Sequence, residues 1–184
     1  RHGDEDAAPG RCDFAVNVRP GPPAFLTAAL STRIDDLAAY PSNDDADAAT
    51  RAAADLHGRR TDEVLLLGGA AEGFELLAKL GATHVALIQP SFTEPEVMLR
   101  RAGIDVHRVI LDPGDAFAPI PPGVPGTGPG AFALDPDRIP RDADLVVVGN
   151  PTNPTSTTHP AVVIERLSAP DRVVVVDEAF MDVV

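Results

Sequence analysis

Cysteine is almost absent from this chain: of 184 residues, only Cys12 carries a thiol. One cysteine cannot form an internal disulfide. A disulfide-stapled scaffold is therefore excluded, and a reducing, cytoplasmic setting is expected. No base stands beside Cys12 in the sequence, so it reads as a packing residue rather than a nucleophile. Positive charge is scarce too. The chain has 15 Lys and Arg against 28 Asp and Glu, a formal net charge of −13. Nucleic-acid binding needs clustered cations to neutralise phosphates, so it is not expected. A small anionic ligand is still allowed, because a few backbone N–H groups and one or two arginines can hold a phosphate at any net charge. No apolar run reaches the ~18 residues of a membrane span. The opening RHGDEDAAPGR has no apolar core, and no secretory leader is expected there. The histidines show no metal-ligand spacing; His57, His84, His107 and His159 are expected at surface or strand-edge positions. Gly-x-Ser-x-Gly, Walker and Cys-x-x-Cys patterns are also missing.

What remains is an ordinary globular composition, 44% hydrophobic and 23% charged, long enough for one domain with a substantial core. Residues 1–23 are polar and then rich in Pro and Gly, which suggests an extended arm with a short strand-like piece over 13–18. Phe25, Leu26, Ala29, Leu30, Ile34, Leu37 and Ala38 follow helical spacing, which predicts an amphipathic helix over 24–39. Tyr40-Pro41 ends it. Ser42 and Asn43 offer caps for a second helix over 44–58, with Asp44, Asp45 and Asp47 complementing its dipole. From residue 63 the pattern alternates regularly. Strands are expected over 63–67, 84–88, 105–110, 145–149 and 172–177. Helices are expected over 70–81, 93–102 and 160–168. That rhythm predicts an α/β fold with a mostly parallel, doubly wound sheet. Arg59-Arg60 and Arg100-Arg101 read as solvated helix faces. Residues 112–131 hold six prolines and are rich in glycine; they break the pattern and suggest a mobile surface loop.

Two segments carry the chemistry. Val146-Val147-Val148-Gly149-Asn150-Pro151-Thr152-Asn153-Pro154-Thr155 and Val173-Val174-Val175-Val176-Asp177-Glu178-Ala179-Phe180 are β-branched runs that stop abruptly at polar residues. Such runs suit strands buried on both faces of a parallel sheet. In open α/β sheets the ligand sits outside the carboxyl ends of the strands. Asn153 and Asp177 can therefore meet over one ligand. A buried carboxylate there needs a cationic or proton-carrying partner, and a protonated pyridine nitrogen would serve. Asp177 could instead be a helix cap and Asn153 a turn residue. Asn150 reads as a cap of the strand end. Upstream, Leu65-Leu66-Leu67-Gly68-Gly69-Ala70-Ala71-Glu72-Gly73 reads as strand, glycine turn and helix start. A helix N-terminus offers free N–H groups and a positive dipole end to an anion, although tight turns are also glycine-rich for packing alone. Phe92, in Pro90-Ser91-Phe92, could stack on a flat heterocycle or fill the core.

The two motifs, in this order, resemble the paired signatures of the pyridoxal-phosphate enzymes of the class I and II aminotransferase family, fold type I. More narrowly they resemble the branch with histidinol-phosphate aminotransferase and threonine-phosphate decarboxylase. The resemblance runs from His2-Gly3-Asp4 to Phe180. It implies a three-layer sandwich, here incomplete, with residues 1–41 as arm and first helix and 42–184 as part of the cofactor-binding large domain. The link at 112–131 is longer than the family's and looks like an insertion. The resemblance further implies that the N–H groups of Ala70 and Ala71 hold the cofactor phosphate and that Phe92 stacks on the pyridine ring. Asn153 would donate to the cofactor's phenolate oxygen, and Asp177 would pair with the pyridine nitrogen. Tyr40 would reach the cofactor phosphate of a partner subunit, implying a homodimer with shared sites. Asn17 and His2 would face a small phosphorylated substrate. Phe180 departs from the pattern, because relatives often carry a tyrosine there. The family also holds its cofactor as a Schiff base on a lysine beyond the DEAF segment; the only lysine here is Lys79, too far from the ring to serve. Three readings are implied: a histidinol-phosphate aminotransferase-like enzyme, a threonine-phosphate decarboxylase of cobalamin biosynthesis, or a catalytically incompetent fragment. A continuation past Val184 is expected.

Overall fold

The computed structural model describes residues 21–114 and 131–181. His2, Cys12, Asn17 and most of the 112–131 segment lie outside the described residues. The chain divides into two compact units, residues 1–66 and 67–184.

In the first unit, α1 (Ala24–Ser31) is followed by a 3-10 turn (Ile34–Ala38), α2 (Asn43–His57) and a second 3-10 turn (Thr61–Glu63). Ser42 caps α2 as expected, its Oγ accepting the Asp45 N–H at 3.0 Å. Gly58, at φ +59°, closes the helix in the left-handed conformation that glycine adopts without strain. The expected helix 24–39 is corrected in two ways. It breaks at Thr32-Arg33, and none of its apolar residues is buried. Helical spacing finds a candidate buried face, but burial needs a surface to pack against. Ala54 is the one buried residue among those described in this unit.

The expected strand 63–67 is also corrected. Arg60 N–H donates to the Glu63 carboxylate at 2.9 Å, which tightens Thr61–Glu63 into a 3-10 turn. Val64–Leu67 runs on without a ladder partner among the described residues, and Leu65 is 70% exposed. An apolar β-like run becomes a strand only where a neighbouring edge takes its hydrogen bonds.

The second unit is α/β. Its strands β1 (Val85–Gln89), β2 (Val106–Ile110), β3 (Leu145–Gly149) and β4 (Val173–Asp177) pair in parallel, in the order β2-β1-β3-β4. Each lies within a residue of its expected position. Alternation sends Val85, Leu87, Leu145, Val147 and Val175 to one face. There they pack on Phe74 and Leu77 of α3 (Ala70–Leu77) and on Met98 and Leu99 of α4 (Glu94–Arg101). Ala86, Ile88, Val146, Val148, Val174 and Val176 take the other face. They pack on Leu134, Ile139, Leu167 and the partly buried Val163 and Ile164 of α5 (Ala161–Glu165). A sheet covered on both faces is the three-layer arrangement expected. β3 is buried as its apolar run predicts. β4 is only half-buried, because it is the edge of the sheet among the described residues.

Three polar devices lock this unit. Arg172 donates to the carbonyls of Ala143 at 2.7 Å, Pro140 at 2.9 Å, Leu167 at 3.0 Å and Arg141 at 3.3 Å. It thereby ties the entry to β4 to the entry to β3. Asp144 accepts from Thr83 N–H, the Thr83 hydroxyl and His84 N–H, all within 2.9 Å, which fixes the start of β1 against β3. Glu96 of α4, a buried carboxylate, accepts from Arg100 at 2.7 Å and from Arg108 of β2 at 2.9 Å. Arg100 is therefore an ion-pair partner rather than a free solvated charge.

Candidate functional site

The strand order creates the site. The chain winds outward from β1 to β2, then crosses back to place β3 and β4 on the other side of β1. Loops leaving β1 and β3 must diverge, and a crevice opens at their carboxyl ends. The β1 loop supplies Ser91 and Phe92, and the β3 loop supplies Pro151 and Asn153. β4 ends at Asp177, which pairs in register with Gly149, and α3 begins at the same place with Ala70. With Phe74, Leu87, Pro95, Val147, Ala179 and Phe180 these residues enclose a cavity of about 190 Å³. The strand parity that sets Val147 and Val175 on the α3-facing side also turns Gly149 and Asp177 toward this crevice.

The walls are mostly apolar. The polar side chains in them are those of Ser91, Asn153 and Asp177. Phe92 is partly exposed in the wall, and its ring meets that of Phe74 at 6.2 Å between centroids, tilted by 49°. It is not a fully buried core residue. Gly149 lines the cavity, and a Cβ there would meet nothing closer than 3.5 Å. Packing does not demand glycine at this position; its missing side chain leaves room in the crevice. At the other end, Gly69 (φ +102°) turns the backbone into α3, and no side chain caps that helix start. The Glu72 carboxylate reaches back to the Gly68 N–H at 2.5 Å. Ala70 forms part of the wall, while Ala71 beside it is exposed. Asp177 Oδ1 accepts the Ala179 N–H at 3.1 Å, so one carboxylate oxygen is already oriented.

The segment after β3 is built around a buried polar knot. Asn150 Oδ1 accepts the His159 N–H at 2.7 Å, and Asn150 Nδ2 donates to the His159 carbonyl at 3.2 Å. Asn150 N–H also donates to the Asp177 carbonyl at 2.9 Å. Within the loop, Thr152 N–H bonds the Thr157 carbonyl at 2.8 Å and Ser156 N–H bonds the Thr152 carbonyl at 2.7 Å. His159 is only 3% exposed, which corrects its expected surface position. Burial pushes its imidazole pKa below the usual value, favouring the neutral ring. The expectation failed because a lone histidine among threonines and a proline has no apolar periodicity around it. Asn150, expected to cap the strand end, instead pairs its side chain with the backbone of His159 across the loop. Sequence reading also passed over Gly149 and Phe74 as wall residues. The β-strand alternation that places Asp177 would have found Gly149.

Tyr40 belongs to the first unit and is 97% exposed. Lys79 is exposed in the turn after α3, about 13 Å along the helix axis from Ala70 by helical rise alone. Among the described residues there is no cluster of three potential metal ligands and no helix long and apolar enough to cross a membrane.

The fold and crevice define the class: a parallel α/β protein with a crevice at a topological switch point. The family model for aminotransferase class I and II matches residues 10–184, and the chain belongs to that family. It is 49% identical over 182 residues to a histidinol-phosphate aminotransferase of Mycobacterium tuberculosis, covering 98% of this chain and 45% of that one. The chain thus spans less than half the length of that relative. Among solved structures, histidinol-phosphate aminotransferase from Sinorhizobium meliloti in complex with pyridoxal-5'-phosphate superposes with a TM-score of 0.67 at 18% identity, covering 88% of this chain and 42% of that one. L-threonine-O-3-phosphate decarboxylase from Porphyromonas gingivalis gives 0.62 at 21% identity, with 84% and 44% covered. These two likenesses establish the fold.

Proposed function

We propose that the whole protein is a pyridoxal-phosphate-dependent aminotransferase acting on a small phosphorylated amino compound, with histidinol phosphate the first candidate. The observation that carries this reading is the convergence of Ala70, Phe92, Asn153 and Asp177 on one crevice at the strand ends. The crevice fits the cofactor on three counts. Its walls are apolar, Gly149 leaves space where a side chain would intrude, and a carboxylate stands at one wall with a helix N-terminus at another. The 49% identity to a histidinol-phosphate aminotransferase supports the substrate class.

When bound, pyridoxal phosphate supplies an electron sink for the bond broken at the substrate's Cα. The protein's residues do the rest. The first N–H groups of α3, at Ala70 and Ala71, receive the phosphate. Phe92 covers one face of the ring. Asn153 donates its amide N–H to the ring oxygen. Asp177 holds a proton on the ring nitrogen by charge pairing, and its Ala179 bond keeps the carboxylate aimed. Phe180 lines the crevice but brings no hydroxyl, so the ring oxygen would be left to Asn153 among the lining residues. A lysine that would bind the cofactor covalently is assigned to the rest of the whole protein, outside the span that this chain shares with its relatives. To Asn17 and His2, outside the described residues, the proposal gives a role in binding the substrate. Residues 1–41 act as an arm, and 42–184 form part of the large domain. The protein works in the cytoplasm as a homodimer, with Tyr40 reaching the partner's phosphate. The exposure of Phe25, Leu37 and Tyr40 in the first unit supports such a covered surface.

Threonine-phosphate decarboxylation is the second reading, favoured by the HGD start and the DFAVNVRPGPP arm. The test is to supply the purified whole protein, loaded with pyridoxal phosphate, with each substrate. Histidinol phosphate plus a 2-oxo acid should yield a new amino acid. Carbon dioxide released from threonine phosphate instead would favour the second reading. No turnover of either would overturn both.

A further inference from the structure

The strongest unassigned feature is the knot at Asn150 and His159. β-strand parity turns Gly149 toward the crevice and Asn150 to the opposite, α5-facing side, where Asn150 borders a separate hollow with His159 and Ile164. The Asn150 side chain therefore touches no ligand in the crevice. It makes two hydrogen bonds to the backbone of one residue nine positions on, an amide-to-amide pairing like a single rung of a β-ladder. Both ends of the 150–159 loop are thereby pinned together in a dry environment, with Asn150 and His159 both buried. Asn153 sits within that closed loop. The main chain of Asn150 is in turn bonded to the carbonyl of Asp177.

We propose that Asn150 is a positioning residue: its side-chain amide sets the height of Asn153 over the crevice floor and fixes the separation of Asn153 from Asp177. This rests on the cofactor reading above. Removing the amide leaves the buried N–H and C=O of His159 without partners, and such groups seek water. The cheapest relief is for the loop to open, which lifts Asn153 away from the site. The sheet and α3 should stay in place, because none of their hydrogen bonds passes through the Asn150 side chain.

The test uses the whole protein and two probes, pyridoxal phosphate and its analogue lacking the 3-hydroxyl. Asn150→Ala should weaken pyridoxal phosphate about tenfold, the scale of one lost buried hydrogen bond, and should weaken the deoxy analogue much less. Without either cofactor, amide exchange should quicken at Ser156, Thr157 and His159 but not in β1 or β3. Asn150→Asp keeps the acceptor for the His159 N–H, and it should lie between if the alanine variant folds poorly. Arg172→Ala, which loosens the fold away from the crevice, should leave the ratio of the two affinities unchanged. Equal losses for both probes, or unchanged exchange in the loop, would overturn the proposal. Failure of the native protein to bind pyridoxal phosphate would instead overturn the cofactor reading, with the exchange result still deciding whether Asn150 holds the loop.

Discussion

Asp177 is the one carboxylate in the walls of the crevice. It ends a β-branched strand, faces the cavity by parity, and has one oxygen held by the Ala179 N–H. Asp177→Asn keeps that shape and removes the charge. Activity of the whole enzyme should fall by about a hundredfold or more, the scale on which preorganised charge acts in such sites. A loss under fivefold would mean the carboxylate serves only as a cap. Gly149 gives a complementary prediction. Gly149→Ala places a methyl group into the cavity with its Cβ no closer than 3.5 Å to the rest of the fold. Cofactor binding should be lost while the melting temperature moves by no more than a few degrees, read side by side by absorbance and thermal unfolding. Ser156 sits at φ +57°, a left-handed conformation disfavoured for residues with a Cβ by about 1 kcal/mol. Ser156→Gly should therefore be neutral or stabilising in denaturant melts; a clear loss would show that the serine hydroxyl has a role of its own. At this scale the place of Asp177 in the crevice wall was legible because it ends a strand whose alternation sets where it points, and that of Asn153 because its loop leaves the end of the neighbouring strand. His159 was not, because its burial comes from a long-range pairing with Asn150 that leaves no local pattern.

Among the elements, the four described strands were legible in the sequence, since β-branched runs bounded by glycine, proline and polar residues have few other uses. The 63–67 strand and the 24–39 helix were misjudged for one reason: both patterns describe a capacity to be buried, and the partner surface decides the outcome. The polar ties between elements were invisible too. Arg172 looks like any turn arginine, yet it serves four carbonyls at the base of β3 and β4. Arg172→Ala should cost about 2–3 kcal/mol in chemical denaturation, with Arg172→Lys recovering only part, because an ammonium lacks the planar fork. Asp144 and Glu96 make the unit sensitive to acid. Desolvation pushes the Asp144 carboxyl up, but N–H donation from Thr83 and His84 outweighs it and holds the group below its ordinary value. The Arg108 guanidinium, with Arg100 behind it, outweighs desolvation to hold the Glu96 carboxyl low. Carboxyls depressed in the folded state contribute stability that is fully present above about pH 5. That contribution is lost as pH falls through the lower folded values. Glu96→Gln should flatten the acid limb of a stability–pH curve; an unchanged limb would show that the Arg108 pair contributes nothing net.

On the scale of the whole molecule, the crevice faces solvent, and the relatives that match this chain are more than twice as long. The central claim is that the crevice at the ends of β1, β3 and β4 holds pyridoxal phosphate in the whole protein. It is tested most directly by the absorbance spectrum of the whole purified protein with pyridoxal phosphate, taken before and after borohydride, beside the same spectra for Asp177→Asn. The expected result is a band in the visible-edge region that borohydride abolishes, shifted in wavelength or pH response by the Asp177 change. A spectrum equal to that of free pyridoxal phosphate would contradict the claim and leave the likeness to the family as one of architecture alone.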